Sequence, residues 1–266
     1  MFLAGLHASL IKSLFGALFK KAQGRMSLVS ASGLVGGVKE YMYRGIQQLP
    51  IVLAATSLLF TITTGSVAHA NLAGGLIVLI PIYTFLLQTV FGLVLNRFSP
   101  GNISWTRSTG DACNIIQTSE KRMNSYFETK TAVESVPSYW LMSVGYFIGY
   151  AISNAVDSLL TPAESNADPI HLEKRNSQAV YVIVATCLLA VLLLGMRFSM
   201  MRGCEGRGWT GIALSIVSAF GAAAIGNSVY TLSRKCGSRA SDLFGILSQI
   251  LPASSTSPHP IVCSAE

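Results

Sequence analysis

Charged residues are scarce in this sequence. Of its 266 residues only 12% are Asp, Glu, Lys or Arg, 51% are hydrophobic, and the mean hydropathy is +0.51. No charged residue occurs between Arg44 and Arg97, although a helix needs only about 20 apolar residues to cross a bilayer. A soluble enzyme, a disordered chain and a disulfide-rich secreted module are therefore excluded, and the composition indicates an integral membrane protein.

Motifs that carry chemistry are also lacking. The four histidines are far apart with no partner at metal-binding spacing, and the five cysteines include no CxxC pair. No dinucleotide fingerprint and no Ser/His/Asp set can be recognised. We therefore expect no catalytic, cofactor-binding or metal-binding residues, no cofactor and no enzymatic activity. A membrane-bound lipid-modifying enzyme that uses Cys113 is the weakest alternative.

The long apolar runs predict an all-α integral membrane protein, because lipid forces each segment to satisfy its own backbone polar groups. We expect a bundle of about five transmembrane helices, with spans at 49–68, 72–95, 136–160, 178–196 and 209–232. His69, Ala70 and Asn71 would form the turn between the first two spans. Pro81 would kink the second span. The fifth span is poor in large residues, so whether it crosses the membrane stays open.

Amphipathic helices are expected at both ends of the chain. Residues 1–22 carry a leucine stripe, which predicts a helix lying on a membrane surface or packed against a partner protein. Residues 23–48 are predicted to be a Gly/Ser-rich linker. The tail, 233–266, contains a short amphipathic segment at 241–251. Cys236 and Cys263 share this tail and could form a disulfide or remain free thiols.

Lys and Arg are divided unevenly between the two faces of such a bundle. Fourteen belong to the amino-terminal segment and the 96–134 and 197–208 loops, and five belong to the opposite face. Because Lys and Arg favour the cytoplasmic side, the N terminus is expected inside and the C terminus outside. The sequon Asn102-Ile103-Ser104 lies on the predicted cytoplasmic face, so a glycan there would contradict this orientation. The net charge of +7 comes mainly from residues beside the spans, so nucleic-acid binding is not expected.

Small residues recur at four-residue spacing in the third and fifth spans, which predicts close packing between helices. The residues expected in this packing are Gly145, Gly149, Ser153, Gly211, Ser215 and Gly226. Asp157, with Asn154 beside it, is a candidate polar site, since an acid inside a membrane is by default a functional candidate. Its position near the end of the span favours a structural role.

Three stretches carry a resemblance to a known group of proteins. VPSYW begins the third span, EKRNSQA precedes the fourth, and CGSRASDLFGI follows the fifth. Over roughly residues 45–260 this order resembles the multi-span membrane proteins of large icosahedral DNA viruses of algae and protists. The resemblance implies a virion internal membrane derived from a host membrane, and a minor capsid protein that joins this membrane to the shell. It implies no catalytic residues.

Two hypotheses of function follow. The first is a structural membrane protein of a virion that anchors or organises the internal membrane beneath the capsid. Its partners would be the lipid bilayer, other capsid or membrane proteins, and a second copy of itself. The second is a small transporter or channel that uses Asp157, Asn154 and Gln88. The absence of several ionisable groups at mid-membrane favours the first hypothesis.

Overall fold

Helices dominate the fold. The computed structural model describes residues 31–98, 104–108, 113, 133–161, 169–200, 203–235 and 243–244. The helices are α1 (Ala31–Thr64), α2 (Val67–Gly74), a π-helical turn (Gly75–Leu79), α3 (Ile80–Phe98), α4 (Tyr139–Leu160), α5 (Pro169–Met200) and α6 (Trp209–Lys235). Strands β1 (Thr106–Ser108) and β2 (Val133–Ser135) form an antiparallel pair. The chain divides into a unit that ends at Gly45 and a unit that begins at Ile46.

Four helical stretches are long and apolar enough to cross a membrane. They are Arg44–Thr64, Val67–Leu95, Leu172–Ser199 and Trp209–Lys235. This finding agrees with the predicted membrane bundle of helices and with a multi-pass membrane protein. The predicted amphipathic helix at 1–22, nearly all of the tail segment at 241–251, and the Cys236–Cys263 pair lie outside the described residues.

Helix α4 is as long as a span but less apolar than these four, and its surroundings explain the difference. Twelve of its 22 residues are buried, whereas the most apolar windows of the four candidate spans are at most 22% buried. It packs most extensively against α6 and α5. Because much of its surface faces protein and not lipid, α4 can carry Ser, Tyr and Asn side chains that a lipid-facing helix would not tolerate.

Helix α1 starts much earlier than the sequence predicted. Residues 31–48, expected to belong to a linker, are helical and continuous with the first span. No proline interrupts the stretch before Pro50, and an existing helix gains one hydrogen bond for each residue that it adds. The glycine content, which suggested a linker, lowers helix stability by only about 1 kcal/mol per residue relative to Ala. The linker prediction is therefore wrong for this part of the chain.

The turn between the first two spans is also displaced from the expected position at 69–71. It lies at Gly65 and Ser66, and residues 69–71 belong to α2. Gly65 has a φ of 66°, the left-handed conformation in which glycine commonly ends a helix. Ser66 is the N-cap residue of α2 with extended backbone, and its Oγ lies 2.9 Å from Nδ1 of His69.

Pro81 affects the second span through the π-helical turn that precedes it. In this turn the N–H of Ile80 bonds the carbonyl of Gly75, five residues earlier. The same register would pair residue 81 with the carbonyl of Leu76, but proline has no N–H to donate. The hydroxyl of Tyr139 on α4 donates to this carbonyl at 2.8 Å. A neighbouring helix thus supplies the hydrogen bond that proline removes.

Candidate functional site

Both faces of the bundle carry polar clusters. On one face the segments 104–108, 133–138 and 203–208, together with Cys113, form a small non-helical layer that we name the cap. This face, the cap face, is where α4 and α6 begin. The opposite face, where α4 and α6 end, is named the tail face because the chain continues from it into the tail.

Backbone hydrogen bonds join the three segments of the cap. The N–H of Val136 donates to the carbonyl of Trp105 at 3.1 Å, and the N–H of Arg207 donates to Thr106 at 3.1 Å. The N–H of Gly208 donates to the carbonyl of Ser104, also at 3.1 Å. The 104–108 segment is therefore held on one side by the residues before α4 and on the other by the residues before α6.

A disulfide between Cys113 and Cys204 closes the cap. The two cysteines are 91 residues apart in sequence, and both are buried, at 6% and 0% exposure. This pairing was not predicted, because neither cysteine is part of a recognisable motif. Cys187, the remaining cysteine in the described residues, is free and exposed on α5.

The cap also contains a buried ion pair, which includes Glu205, the residue after Cys204. Nε of Arg197 donates to Oε1 of Glu205 at 2.8 Å, and the two side chains are 0% and 3% exposed. The hydroxyl of Ser138 lies 2.7 Å and 2.6 Å from the two carboxylate oxygens of Glu205. Cζ of Arg197 also lies 4.8 Å from the ring centroid of Trp140, at cation–π distance. Glu205 thus receives charge-assisted hydrogen bonds from two helices at once.

Helix ends explain why the charges have these signs. Arg197 lies in the last turn of α5, where helix dipoles favour a cation. Ser138 is the N-cap of α4, and its Oγ accepts a hydrogen bond from the N–H of Leu141 at 3.1 Å. Through Ser138 the carboxylate of Glu205 lies next to a helix N-terminus, which favours an anion. The pair therefore connects the end of one helix to the start of another.

Asp157 is at the centre of the tail-face cluster. Its carboxylate forms an ion pair with Arg234 and accepts a hydrogen bond from the hydroxyl of Tyr230 at 2.7 Å. The Arg234 side chain is 47% exposed and that of Asp157 is 11% exposed. Asn154 is fully buried one turn earlier on α4. The structure therefore brings Asp157 together with α6, at the edge of the bundle and not at its centre.

Tyrosines of α4 link this cluster to the second span. The hydroxyl of Tyr146 donates to the carbonyl of Asn71 at 3.2 Å, and that of Tyr150 donates to Ala68 at 3.1 Å. The side chain of Asn71 donates to the hydroxyl of Ser233 on α6. These contacts join α4, α2 and α6. Tyr139, Tyr146 and Tyr150 share one face of a helix by their spacing, a signal that the sequence carried and that sequence reasoning missed.

Four of the residues expected in helix packing lie between α4 and α6. A Cβ atom added at Gly145 would lie 2.6 Å from the carbonyl oxygen of Ala219, and one at Gly149 would overlap the backbone of Ala223. Gly226 approaches the backbone of Tyr146 in the same way. Ser153 donates across the contact to Oδ1 of Asn227 at 2.8 Å. The two helix backbones are therefore as close as small residues allow.

Gly211 and Ser215 have a different partner from the one expected. The atoms nearest to Gly211 belong to Ser104, Trp105 and Gly206 of the cap. The hydroxyl of Ser215 donates to the backbone carbonyl of Glu205 at 2.8 Å. The first two turns of α6 lie beneath the cap, so their small residues admit a loop backbone. The prediction of close packing had the wrong partner for these two positions.

Gln88, placed in the alternative transport site, is also engaged at the cap face. Its Nε2 donates to the carbonyl of Pro137 at 2.8 Å, just before α4 begins. Asp157 and Asn154 lie near the other end of the same helix. The described residues therefore do not bring these three side chains together as one site. Nor do three metal-ligating side chains meet anywhere in the part of the chain that the structure describes.

Comparisons with known proteins assign no function to this chain, so the polar clusters of the cap face and the tail face are the basis for a proposal. No protein-family model, no curated protein and no solved structure matches the chain.

Proposed function

We propose that this protein is a structural membrane protein, whose work is to form a rigid multi-helix unit in a bilayer and not to turn over a substrate. The proposal rests on one observation: the polar side chains of both clusters bind other groups of the same chain. Glu205, Arg197 and Ser138 bind one another at the cap face, and Asp157 binds Arg234 and Tyr230 at the tail face. Each contact joins helices or loops of the same chain.

The outward surface of the helices supports the same proposal. Large apolar side chains are exposed along four of the helices, for example Leu59 on α1, Phe85 on α3, Leu188 on α5 and Phe220 on α6. Such a surface is suited to acyl chains, which in a membrane take the place of water. Polar side chains inside and apolar ones outside stabilise one arrangement of helices, which suits a scaffold.

The membrane that we propose is the internal membrane of a large DNA virus particle. The support for this location is the sequence resemblance over residues 45–260, and the partners would be capsid or other membrane proteins. Purified particles and infected-cell membranes should both be analysed for the chain by mass spectrometry, followed by salt extraction. We expect it in particles and resistant to salt. Recovery from infected-cell membranes but never from particles would contradict the location.

Cross-linking mass spectrometry on intact particles tests the structural role more directly. Two exposed lysines lie near the ends of candidate spans and offer sites for amine-reactive reagents: Lys174, near the start of Leu172–Ser199, and Lys235, at the end of α6. We expect reproducible cross-links from these lysines to one or a few capsid or membrane proteins. Only random links to abundant proteins would contradict a scaffold role.

A further inference from the structure

We propose that the cap faces an oxidising compartment, such as the lumen of the endoplasmic reticulum, and that the tail lies in the cytoplasm. This orientation is the reverse of the one predicted from the count of Lys and Arg. It rests on the disulfide between Cys113 and Cys204 and on the charges that the structure shows to be buried. It does not depend on the proposed function.

The disulfide has the features of a permanent structural bond. Disulfides persist in oxidising compartments, and those of cytosolic proteins are usually transient bonds used in catalysis or redox sensing. Sensor cysteines are accessible to solvent, because they must react with oxidants and reductants. Cys113 and Cys204 are 6% and 0% exposed. A sensing role does not fit this burial, so the bond indicates the compartment in which the cap folds.

The neighbourhood of Cys204 strengthens this assignment. Glu205 follows it directly and carries the carboxylate that neutralises Arg197 and binds Ser138. The disulfide therefore fixes the loop that compensates a fully buried arginine. Because loss of one partner of a buried ion pair is strongly destabilising, a permanent disulfide that holds this loop would stabilise the cap.

Burial removes two of the fourteen cations that favoured the opposite orientation. Arg197 is paired with Glu205, and Arg107 is only 8% exposed, so neither is a free loop cation. From Ile46 onwards, the described side chains include two exposed basic residues at the cap face and three at the tail face. They are Arg97 and Arg207 at the cap face, and Lys174, Arg234 and Lys235 at the tail face. Among these described side chains, the exposed cations therefore do not favour a cytoplasmic cap face.

The tail cysteines allow a direct test in sealed vesicles. Vesicles of endoplasmic reticulum, with the cytoplasmic side outward, would be prepared from eukaryotic cells that express the full-length Cys187→Ser variant. This variant retains two cap cysteines and two tail cysteines, Cys236 and Cys263. A membrane-impermeant maleimide–polyethylene glycol reagent then adds a visible mass to every accessible thiol. Labelling is repeated after denaturation in detergent, first without and then with a reductant.

The expected result is two adducts in sealed vesicles, no more after denaturation, and two further adducts after reduction. An absence of adducts in sealed vesicles would place the tail in the lumen and overturn the proposal. Four adducts before reduction would show that the cap cysteines are thiols, which also overturns it. The Cys187→Ser, Cys113→Ser, Cys204→Ser variant is the matched control, since it should give the same two adducts and gain none on reduction.

Discussion

Replacing Glu205 by glutamine tests how strongly the cap depends on its buried ion pair. Glutamine has nearly the shape of glutamate and can still accept a hydrogen bond from Ser138, but it carries no charge. Arg197, which is 0% exposed, would then lose the carboxylate with which it forms its buried ion pair. Loss of one partner of a buried pair costs about 3–5 kcal/mol. We therefore expect a loss of this size in the free energy of unfolding.

Thermal unfolding of the purified protein in detergent micelles or lipid nanodiscs would measure the effect. For proteins of roughly this size each kcal/mol corresponds to about 2–4 °C in Tm, so we expect Glu205→Gln to lower Tm by about 10 °C. Arg207→Gln is the matched control, because Arg207 is an exposed cation of the same loop. Exposed substitutions of this kind usually change stability by no more than about 0.5 kcal/mol.

A double replacement separates the charge from the packing. In Arg197→Met, Glu205→Leu both charges are removed, and apolar groups of similar volume take their place. Such replacements of buried pairs are often neutral or stabilising, so the double variant should be more stable than Glu205→Gln. A Tm for Glu205→Gln within about 2 °C of the wild type, or a double variant less stable than the single one, would refute the reasoning.

Two further predictions concern the contacts of α4. Gly149→Ala should destabilise the protein by about 1–3 kcal/mol, because the added methyl group overpacks against Ala223. Gly195→Ala is the control and should be neutral or slightly stabilising, because a Cβ atom at this position meets no atom within 4 Å. Equal Tm values for the two variants would contradict the close contact. Asp157→Asn should lower the free energy of unfolding by no more than about 1 kcal/mol, because Arg234 is half exposed and the ion pair is screened by solvent. The variant should also leave ion flux into reconstituted liposomes unchanged. A flux in the wild type that this variant abolishes would instead support the transport hypothesis.

The spans were the most predictable part of the fold, because their signal is local. The fifth predicted span, 209–232, differs from α6 (Trp209–Lys235) only at its end. The ends of helices were harder to predict where several neighbouring residues could each form the turn. The turn at Gly65 depends on one residue with positive φ, and the sequence 64–71 offers several polar candidates for it. The extension of α1 back to Ala31 differs from the linker prediction, because the continuation of an existing helix outweighs the destabilising effect of the glycines.

The cap could not be predicted from the sequence for a different reason. Its residues come from three segments that are brought together by the ends of α3, α4, α5 and α6. Cys113 and Cys204 are 91 residues apart, and no spacing rule connects cysteines at such a separation. In the sequence Arg197 directly follows an apolar run, which is typical of a loop cation beside a span. Only the fold shows that it is buried against Glu205.

This burial changes how the charges of the chain should be interpreted. The positive-inside rule assumes that each Lys or Arg beside a span remains a hydrated cation, whose transfer across the membrane is unfavourable. An arginine that pairs with Glu205 inside a folded cap contributes to packing and no longer determines the side on which it lies. The disulfide depends instead on the redox state of its compartment. Where the two signals conflict, the covalent bond is the stronger guide to orientation, because permanent disulfides are rare on the reducing side.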